Sequence, residues 1–137
     1  MRSLLALLLL ASLPAWGETW ISMPIASYHL RRDSDKNERN VGLGVEHSIS
    51  ERSRIAGGLY RNSNNIDSGY LVGVWCSYRS TRWCAGGLAG LVTGYERHAI
   101  VMGGAVLAYE RKSWGANLLV FPKDGGVFGV QLKWRLD

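Results

Sequence analysis

Short apolar runs alternate with short polar clusters along most of this chain. The runs are rich in Val, Ile, Tyr, Trp and Gly, and after the N-terminal segment none of them keeps a helical period for the length of an ordinary helix. Such runs, bounded by polar turn residues, favour β-strands. The pattern predicts eight strands: Trp20–Leu30, Val41–Ser50, Arg54–Arg61, Gly69–Tyr78, Arg82–Tyr95, Ala99–Glu110, Trp114–Phe121 and Val127–Leu136.

The connections between these strands alternate in length. The charged segment Arg31–Asn40 follows the first strand, but only Glu51–Ser53 follows the second; Asn62–Ser68 and then Arg79–Thr81 repeat the alternation. Long loops at one end and tight turns at the other are typical of outer-membrane barrels. We therefore predict an all-β fold, an eight-stranded antiparallel up-and-down β-barrel, with both termini at the end of the tight turns.

The first residues are typical of a secretory signal peptide. Arg2 supplies a positive charge, Leu4–Leu10 is an unbroken apolar run, and Ala15 and Gly17 place small residues before a cleavage site. The alternative is a membrane-anchoring helix, but the run is short against the roughly 20 residues that a span requires. We predict a signal peptide over residues 1–17, a barrel domain over residues 18–137 and an outer-membrane location.

The strand interiors are unusual for a water-filled barrel, in which alternate residues are polar. Leu71–Ser77, Trp83–Tyr95 and Ala99–Tyr109 carry no formal charge on either face. The lumen of an eight-stranded barrel is narrow, and side chains or one small ligand fill it. Pairs of small residues thin the wall, and they indicate either bends at barrel corners or a slot for a hydrocarbon chain. These pairs are Gly57-Gly58, Gly86-Gly87, Ala89-Gly90 and Gly103-Gly104.

Aromatic residues lie near the predicted strand ends, which indicates interfacial girdles. They are Trp20, Tyr28, Tyr60, Tyr70, Trp75, Tyr78, Trp83, Tyr95, Tyr109, Trp114, Phe121 and Trp134. The formal net charge of +5 comes mostly from the segments between strands, so we interpret it as solvated turns first and contact with anionic headgroups second. Nucleic acid is not an expected partner of an exported chain, and we expect a monomer.

The two cysteines, Cys76 and Cys84, flank a predicted tight turn. A turn at Arg79–Thr81 places them opposite each other in a hairpin, at a Cα separation that suits a disulfide. Exported proteins meet an oxidising environment, so we predict this disulfide, with free thiols as the alternative. A metal site needs more ligands than these two residues, and no cofactor is implied.

The predicted topology places His29 and Ser63 together at the rim that carries the long loops. Each follows a strand that runs toward that rim, and the two strands share a neighbour. A histidine beside a serine is a possible base and hydroxyl donor for acyl transfer. The alternatives are an interfacial hydrogen-bonding histidine and an ordinary loop serine.

At these residues the chain resembles the PagP family of lipid A palmitoyltransferases. The segments that carry the resemblance are Ser27-Tyr28-His29-Leu30, Asn37-Glu38-Arg39, Val41-Gly42-Leu43-Gly44, Gly58-Leu59-Tyr60-Arg61-Asn62-Ser63, Ala89-Gly90-Leu91-Val92-Thr93-Gly94 and Phe121-Pro122. The resemblance spans nearly the whole mature chain at low identity. Asn37-Glu38-Arg39 after the histidine is its most specific part.

The resemblance implies an enzyme that moves a palmitoyl chain from a phospholipid donor to lipid A, without a cofactor. It implies His29 as the catalytic base, Ser63 and Asn62 as residues that position or polarise the acyl carbonyl, and a lipid-binding rim. The rim residues are Glu38, Arg39 and Arg61. Two features depart from the family: its catalytic Asp falls at Asn62, and its amphipathic helix before the first strand has no counterpart.

Two other functions remain open from the sequence. One is a non-enzymatic outer-membrane barrel with a lipid-binding or structural role. The other is a soluble periplasmic lipid carrier, which the apolar character of both strand faces disfavours because a soluble barrel has a charged outer face.

Overall fold

The computed structural model describes residues 17–31, 36–95 and 98–136, and they form a closed antiparallel barrel whose strands pair in chain order. The predicted fold class is confirmed. The strands are β1 (Thr19–His29), β2 (Gly42–Ser48), β3 (Ser53–Arg61), β4 (Asp67–Arg79), β5 (Trp83–Val92), β6 (Ile100–Glu110), β7 (Trp114–Phe121) and β8 (Val127–Arg135). No helix of the described residues is long and apolar enough to cross a membrane. The predicted signal peptide lies, except for Gly17, outside the described residues.

The two ends of the barrel differ as the connection lengths predict. The turn end holds the short connections, residues 49–52, 80–82 and 111–113, together with the first residue of β1 and the last residue of β8. The loop end holds the other four connections, residues 30–41, 62–66, 93–99 and 122–126. Backbone hydrogen bonds close the tight turns, with Ser80 N donating to Trp83 O at 2.9 Å and Arg111 N to Trp114 O at 2.8 Å.

The outer face of the barrel is apolar over most of its height. Leu59 is 70% exposed and Val101 is 80% exposed, and both lie in the half of their strands that is nearer the loop end. Along the described strands, charged side chains reach this face only at Arg61 and Asp67, where β3 ends and β4 begins at the loop end. A large exposed apolar surface of this kind marks an interaction with another protein or with lipid.

The predicted aromatic girdle is present at the turn end except at Trp20, which is buried and faces the lumen beside Lys133. Exposed aromatic side chains lie at that end on β4, β5, β7 and β8, and the ring of Tyr109 on β6 lies 4.8 Å from that of Trp83 and 6.0 Å from that of Trp114. The exposed members are Trp75, Tyr78, Trp83, Trp114 and Trp134. We call these five residues and Tyr109 the aromatic belt.

At the loop end the girdle prediction is wrong for most of the described residues. Tyr28 is exposed there, but Tyr60, Tyr70, Tyr95 and Phe121 line the lumen. Proximity to a strand end does not determine which face a residue takes, because the side chains of a strand alternate between the two faces.

The predicted disulfide between Cys76 and Cys84 is present, with a Cα–Cα distance of 5.3 Å. The predicted direct pairing of the two cysteines is wrong. Cys84 pairs with Arg79 and Cys76 pairs with Gly86, because a bulge between Cys76 and Tyr78 shifts the register. Both cysteines are buried, and the bulge leaves both side chains on the inner face of the β4–β5 hairpin.

We expect reduction of this disulfide to destabilise the barrel without opening it. The bond closes a loop with a sequence separation of 8 residues. A loop of that size corresponds to a loss of about 2–3 kcal/mol in unfolding free energy, because reduction frees the unfolded chain. The measurement is urea unfolding in detergent micelles with and without reductant.

A Cys76→Ser/Cys84→Ser variant provides the control, since its unfolding midpoint should not respond to reductant. A wild-type midpoint that is equally insensitive would contradict this prediction.

Candidate functional site

Four charged side chains meet inside the barrel near the turn end. Glu46 on β2, Arg54 on β3, Glu110 on β6 and Lys133 on β8 are all buried, and they form the lumen ion network. Lys133 Nζ lies 2.9 Å from Glu46 Oε1 and 2.6 Å from Glu110 Oε1. Arg54 bonds to both carboxylates, and its Nη2 lies 2.9 Å from Glu110 Oε2. The network therefore joins opposite walls of the lumen.

Further side chains complete the hydrogen bonding of the two carboxylates. Arg79 Nη1 donates to Glu110 Oε2 at 2.8 Å, and Asn117 Nδ2 donates to Glu46 Oε2 at 3.2 Å. The ammonium of Lys133 also lies 5.0 Å from the centre of the Trp20 ring. Burial of a charge is costly unless it is paired and hydrogen-bonded, and here the bonded side chains come from six of the eight strands.

This network is absent from the residues that the sequence patterns predicted as functional. All four residues lie within or at the border of predicted strands, at positions whose side chains turn inward. Glu46 pairs with Ala56 and Ser48 pairs with Arg54, so Glu46 and Arg54 are diagonal neighbours on one face. Two acidic and two basic residues within otherwise apolar strands could have indicated buried ion pairs. Which of these residues pair with each other depends on closure of the barrel, and the sequence pattern does not give that.

Between the network and the loop end the lumen contains an apolar cavity of about 220 Å³. Glu46, Arg54 and Asn117 lie at its floor. Its wall consists of aliphatic and aromatic side chains from strands around the barrel: Ala56, Val72, Val74, Leu88, Val92, Met102, Val106, Leu119, Phe121 and Val127. A narrow apolar cavity with a polar floor and an open polar end suits one hydrocarbon chain with its polar group at the mouth.

A bulge in β1 aims His29 into this cavity. Below the bulge Ser22 and Pro24 face inward, and above it Ser27 and His29 face inward, since the register with β8 shifts between Pro24 and Ala26. Without that shift, strict alternation would place His29 on the outer face. Bulges commonly re-aim side chains near functional sites.

His29 and Ser63 both line the mouth of the cavity, as the topology predicted. They are 5% and 8% exposed, respectively. His29 Nδ1 is buried and has no hydrogen-bond partner among the described residues. The β1–β2 loop runs between the two positions, because Ser27 N donates to Glu38 O at 2.9 Å and Asn37 N donates to Ser63 O at 2.8 Å.

Asn62 is fully buried, and its amide organises the loop that carries Ser63. Its Nδ2 donates to Ser68 Oγ at 2.8 Å and to Gly94 O at 2.9 Å. Its Oδ1 accepts from the backbone N–H groups of Asn64 at 2.9 Å and Ile66 at 3.0 Å. These bonds use both N–H donors and both oxygen lone pairs of the amide. The side chain of Asn62 therefore fixes the loop in which Ser63 lies.

The other predicted rim residues lie at the loop end but outside the cavity lining. Glu38 and Arg39 are exposed in the β1–β2 loop, and exposed Arg61 pairs with Asp67 at 3.3 Å. Two lysines that the sequence did not predict as site residues line the mouth. Lys36 Nζ donates to Asn64 Oδ1 at 3.0 Å, and Lys123 Nζ lies 4.8 Å from the centre of the Tyr95 ring. Their loops gave no pattern that distinguished them.

Comparison with known proteins supports the architecture. No protein-family model matches this chain, and no curated protein matches it. It is similar to the solution NMR structure of the de novo designed protein TMB2.3, with a TM-score of 0.68 and 12% identity over 91% of this chain and 99% of that one. It is also similar to the outer membrane protein Ail of Yersinia pestis in a phospholipid bilayer nanodisc, with a TM-score of 0.54 and 12% identity over 88% of this chain and 99% of that one. At this identity the likeness shows a shared fold, the small eight-stranded barrel.

We expect Lys133→Met to destabilise the barrel by about 3–5 kcal/mol, since it removes the buried ammonium that bonds to both carboxylates. A Glu46→Gln/Lys133→Met variant removes one charge of each sign, so its loss in unfolding free energy should be smaller than the sum of the two single losses. Guanidinium unfolding of the four proteins in micelles measures this coupling. Additive losses would show that the two side chains do not act as a pair.

We expect Asn62→Asp to destabilise the barrel by about 1–3 kcal/mol, because a carboxylate oxygen then faces Gly94 O where an amide donated. The matched control is Asn64→Asp, an exposed residue of the same loop, which should change the unfolding midpoint little. Equal shifts in the two variants would contradict a structural role for the Asn62 amide.

Proposed function

We propose that this protein is an outer-membrane acyltransferase that holds one acyl chain of a phospholipid in its lumen and transfers it to lipid A. The observation that carries the proposal is the position of His29 and Ser63, both buried at the polar mouth of an apolar cavity. The resemblance to the PagP family supplies the donor, the acceptor and the reaction class.

The surface of the barrel supports membrane insertion. Its exposed apolar band ends at the aromatic belt, and aromatic residues concentrate where a bilayer meets water. The fold shared with an outer membrane protein agrees with this location. A soluble lipid carrier, the third function considered, would instead need a polar outer face.

The cavity supports the choice of an acyl chain as ligand. A hydrocarbon chain that enters from the loop end contacts apolar side chains along the wall and stops above the lumen ion network. The network closes the turn-end side of the cavity with charged groups. The terminal methyl group of an acyl chain cannot form hydrogen bonds with these groups, so the chain does not extend past them. The ester carbonyl of the donor then lies at the mouth, beside His29 and Ser63.

The reaction follows from the groups at the mouth. His29 takes the proton of the acceptor hydroxyl, and the acceptor oxygen forms a bond with the carbonyl carbon of the donor ester. The bond from that carbon to the glycerol oxygen breaks, and the glycerol oxygen receives the proton from His29. Ser63 Oγ–H donates to the carbonyl oxygen while it carries negative charge.

The loop end also provides groups for anionic lipids. Arg39 and Arg61 lie at the rim, and Lys36 and Lys123 line the mouth. Cations of this kind bind phosphate groups of a lipid headgroup or of lipid A. Glu38 is the acidic member of the rim, where it can accept hydrogen bonds from sugar hydroxyls.

A barrel that binds lipid without chemistry is the second candidate. Asn62 favours it, because the PagP family has a catalytic Asp at this position and the Asn62 amide is committed to the loop. The acyltransferase needs His29 to act without that carboxylate.

Mass spectrometry of lipid A tests the proposal, in a host that lacks its own palmitoyltransferase and expresses this protein. We expect an added acyl chain on lipid A. His29→Ala should lower its yield by about 100-fold or more, the usual contribution of a general base, and Ser63→Ala should also lower it. His98→Ala and Ser113→Ala replace exposed residues of the same types and should leave the yield unchanged.

Unmodified lipid A with a folded barrel in the outer membrane would overturn the acyltransferase. In that case, binding of a spin-labelled fatty acid that is lost in Ala56→Phe, which fills the cavity, would support the lipid-binding barrel.

A further inference from the structure

We propose that the turn end is a binding surface for anionic phospholipid headgroups. Four cationic side chains are exposed on its three tight turns, Arg52 on the first, Arg82 on the second, and Arg111 and Lys112 on the third. We call these four residues the basic collar. The turns carry one acidic residue, Glu51, so the collar has an excess of three positive charges.

Most of this charge is not neutralised within the protein. Arg82, Arg111 and Lys112 form no ion pair with any acidic residue in the described ranges. Arg52 Nη1 donates to the carbonyl oxygens of Cys76 at 3.3 Å and Ser77 at 2.7 Å, and these contacts leave its positive charge uncompensated. The collar therefore presents cations that an external anion can pair with.

The position of the collar selects the kind of anion. It lies next to the aromatic belt, since Arg82 precedes Trp83 in sequence and Lys112 lies two residues before Trp114. The belt places these residues at the depth of lipid headgroups. Guanidinium and ammonium groups at that depth attract phosphates of anionic lipids, and salt screens the attraction.

The loop end has a smaller charge excess. In sequence, its four connections together with Arg61 and Asp67 hold seven Lys or Arg residues and six Asp or Glu residues. Its exposed Arg39 lies next to exposed Glu38, and its exposed Arg61 pairs with Asp67. Acids and bases are mixed there, so the expected preference for anionic phospholipid belongs to the turn end. The inference rests on the membrane placement proposed above and is independent of acyl transfer.

Energy transfer from tryptophan to labelled lipid tests the inference. The protein is reconstituted into phosphatidylcholine vesicles that contain traces of either dansyl-phosphatidylglycerol or dansyl-phosphatidylcholine. Trp75, Trp83, Trp114 and Trp134 lie at the turn end and act as local donors. We expect severalfold enrichment of the phosphatidylglycerol probe over the phosphatidylcholine probe at low salt, and loss of that enrichment at high salt.

Two variants separate the collar from general attraction to a basic protein. Arg82→Gln/Arg111→Gln/Lys112→Gln should abolish most of the enrichment; Arg52 is kept because it contacts the β4–β5 hairpin. Arg31→Gln/Arg39→Gln/Arg61→Gln removes the same charge from the opposite end of the barrel. Because the four donor tryptophans lie at the turn end and report lipid there, this variant should retain the enrichment that they measure. Folding of each variant is checked by its heat-dependent migration in gels.

Three results would overturn the inference. They are equal transfer to both probes in the wild-type protein, enrichment that survives in the collar variant, and enrichment that is lost in the loop-end variant instead. A barrel that does not insert would show no transfer to either probe, and that result would overturn the membrane placement and the collar together. Acyl transfer by the same preparation is measured separately, so the two proposals can fail independently.

Discussion

The lumen ion network is the interaction on which the rest of this structure depends. Backbone hydrogen bonds close the perimeter of the barrel, but they do not by themselves fix the shape of its cross-section. Glu46, Arg54, Glu110 and Lys133 join β2, β3, β6 and β8 across the lumen, so they hold opposite walls at a fixed separation. Because they fill the lumen at the turn end, they also set the depth of the cavity above them.

This division of the lumen explains why several strands are apolar on both faces. Above the network the inner face lines an apolar cavity, and the outer face of the same strands is exposed and apolar. Val72 faces the cavity while Leu71 faces outward, and the same holds for Val106 and Leu107 on β6. At the turn end, the inner face carries the four charged side chains of the network beside buried apolar residues such as Trp20 and Ala108. A barrel with this arrangement has a mostly apolar lumen at one end and is held by ion pairs at the other.

The local pattern of apolar and polar residues predicted the strands, their order and the difference between the turn end and the loop end. Each of these features depends on residues that are neighbours along the chain. The Cys76–Cys84 disulfide was also within reach, since the two residues flank one turn. Their exact register was not, because the bulge beside Cys76 depends on how the hairpin fits the barrel. The role of Asn62 was equally out of reach, because its bond to Gly94 O crosses between the β3–β4 and β5–β6 loops.

The position of His29 shows how one local irregularity can determine a site. Proline lacks the N–H that a ladder requires, so within a sheet it occurs at edges and bulges. A closed barrel has no edge, and Pro24 in the middle of β1 therefore indicates a bulge, which lies between Pro24 and Ala26. The extra residue reverses the alternation of β1 above that point, so Trp20 and Ser22 face the lumen below it and His29 faces the lumen above it. For this reason, a single strict alternation cannot predict which side chains of β1 face the lumen on both sides of the bulge. Pro24 is the residue in the sequence that indicates the change of register.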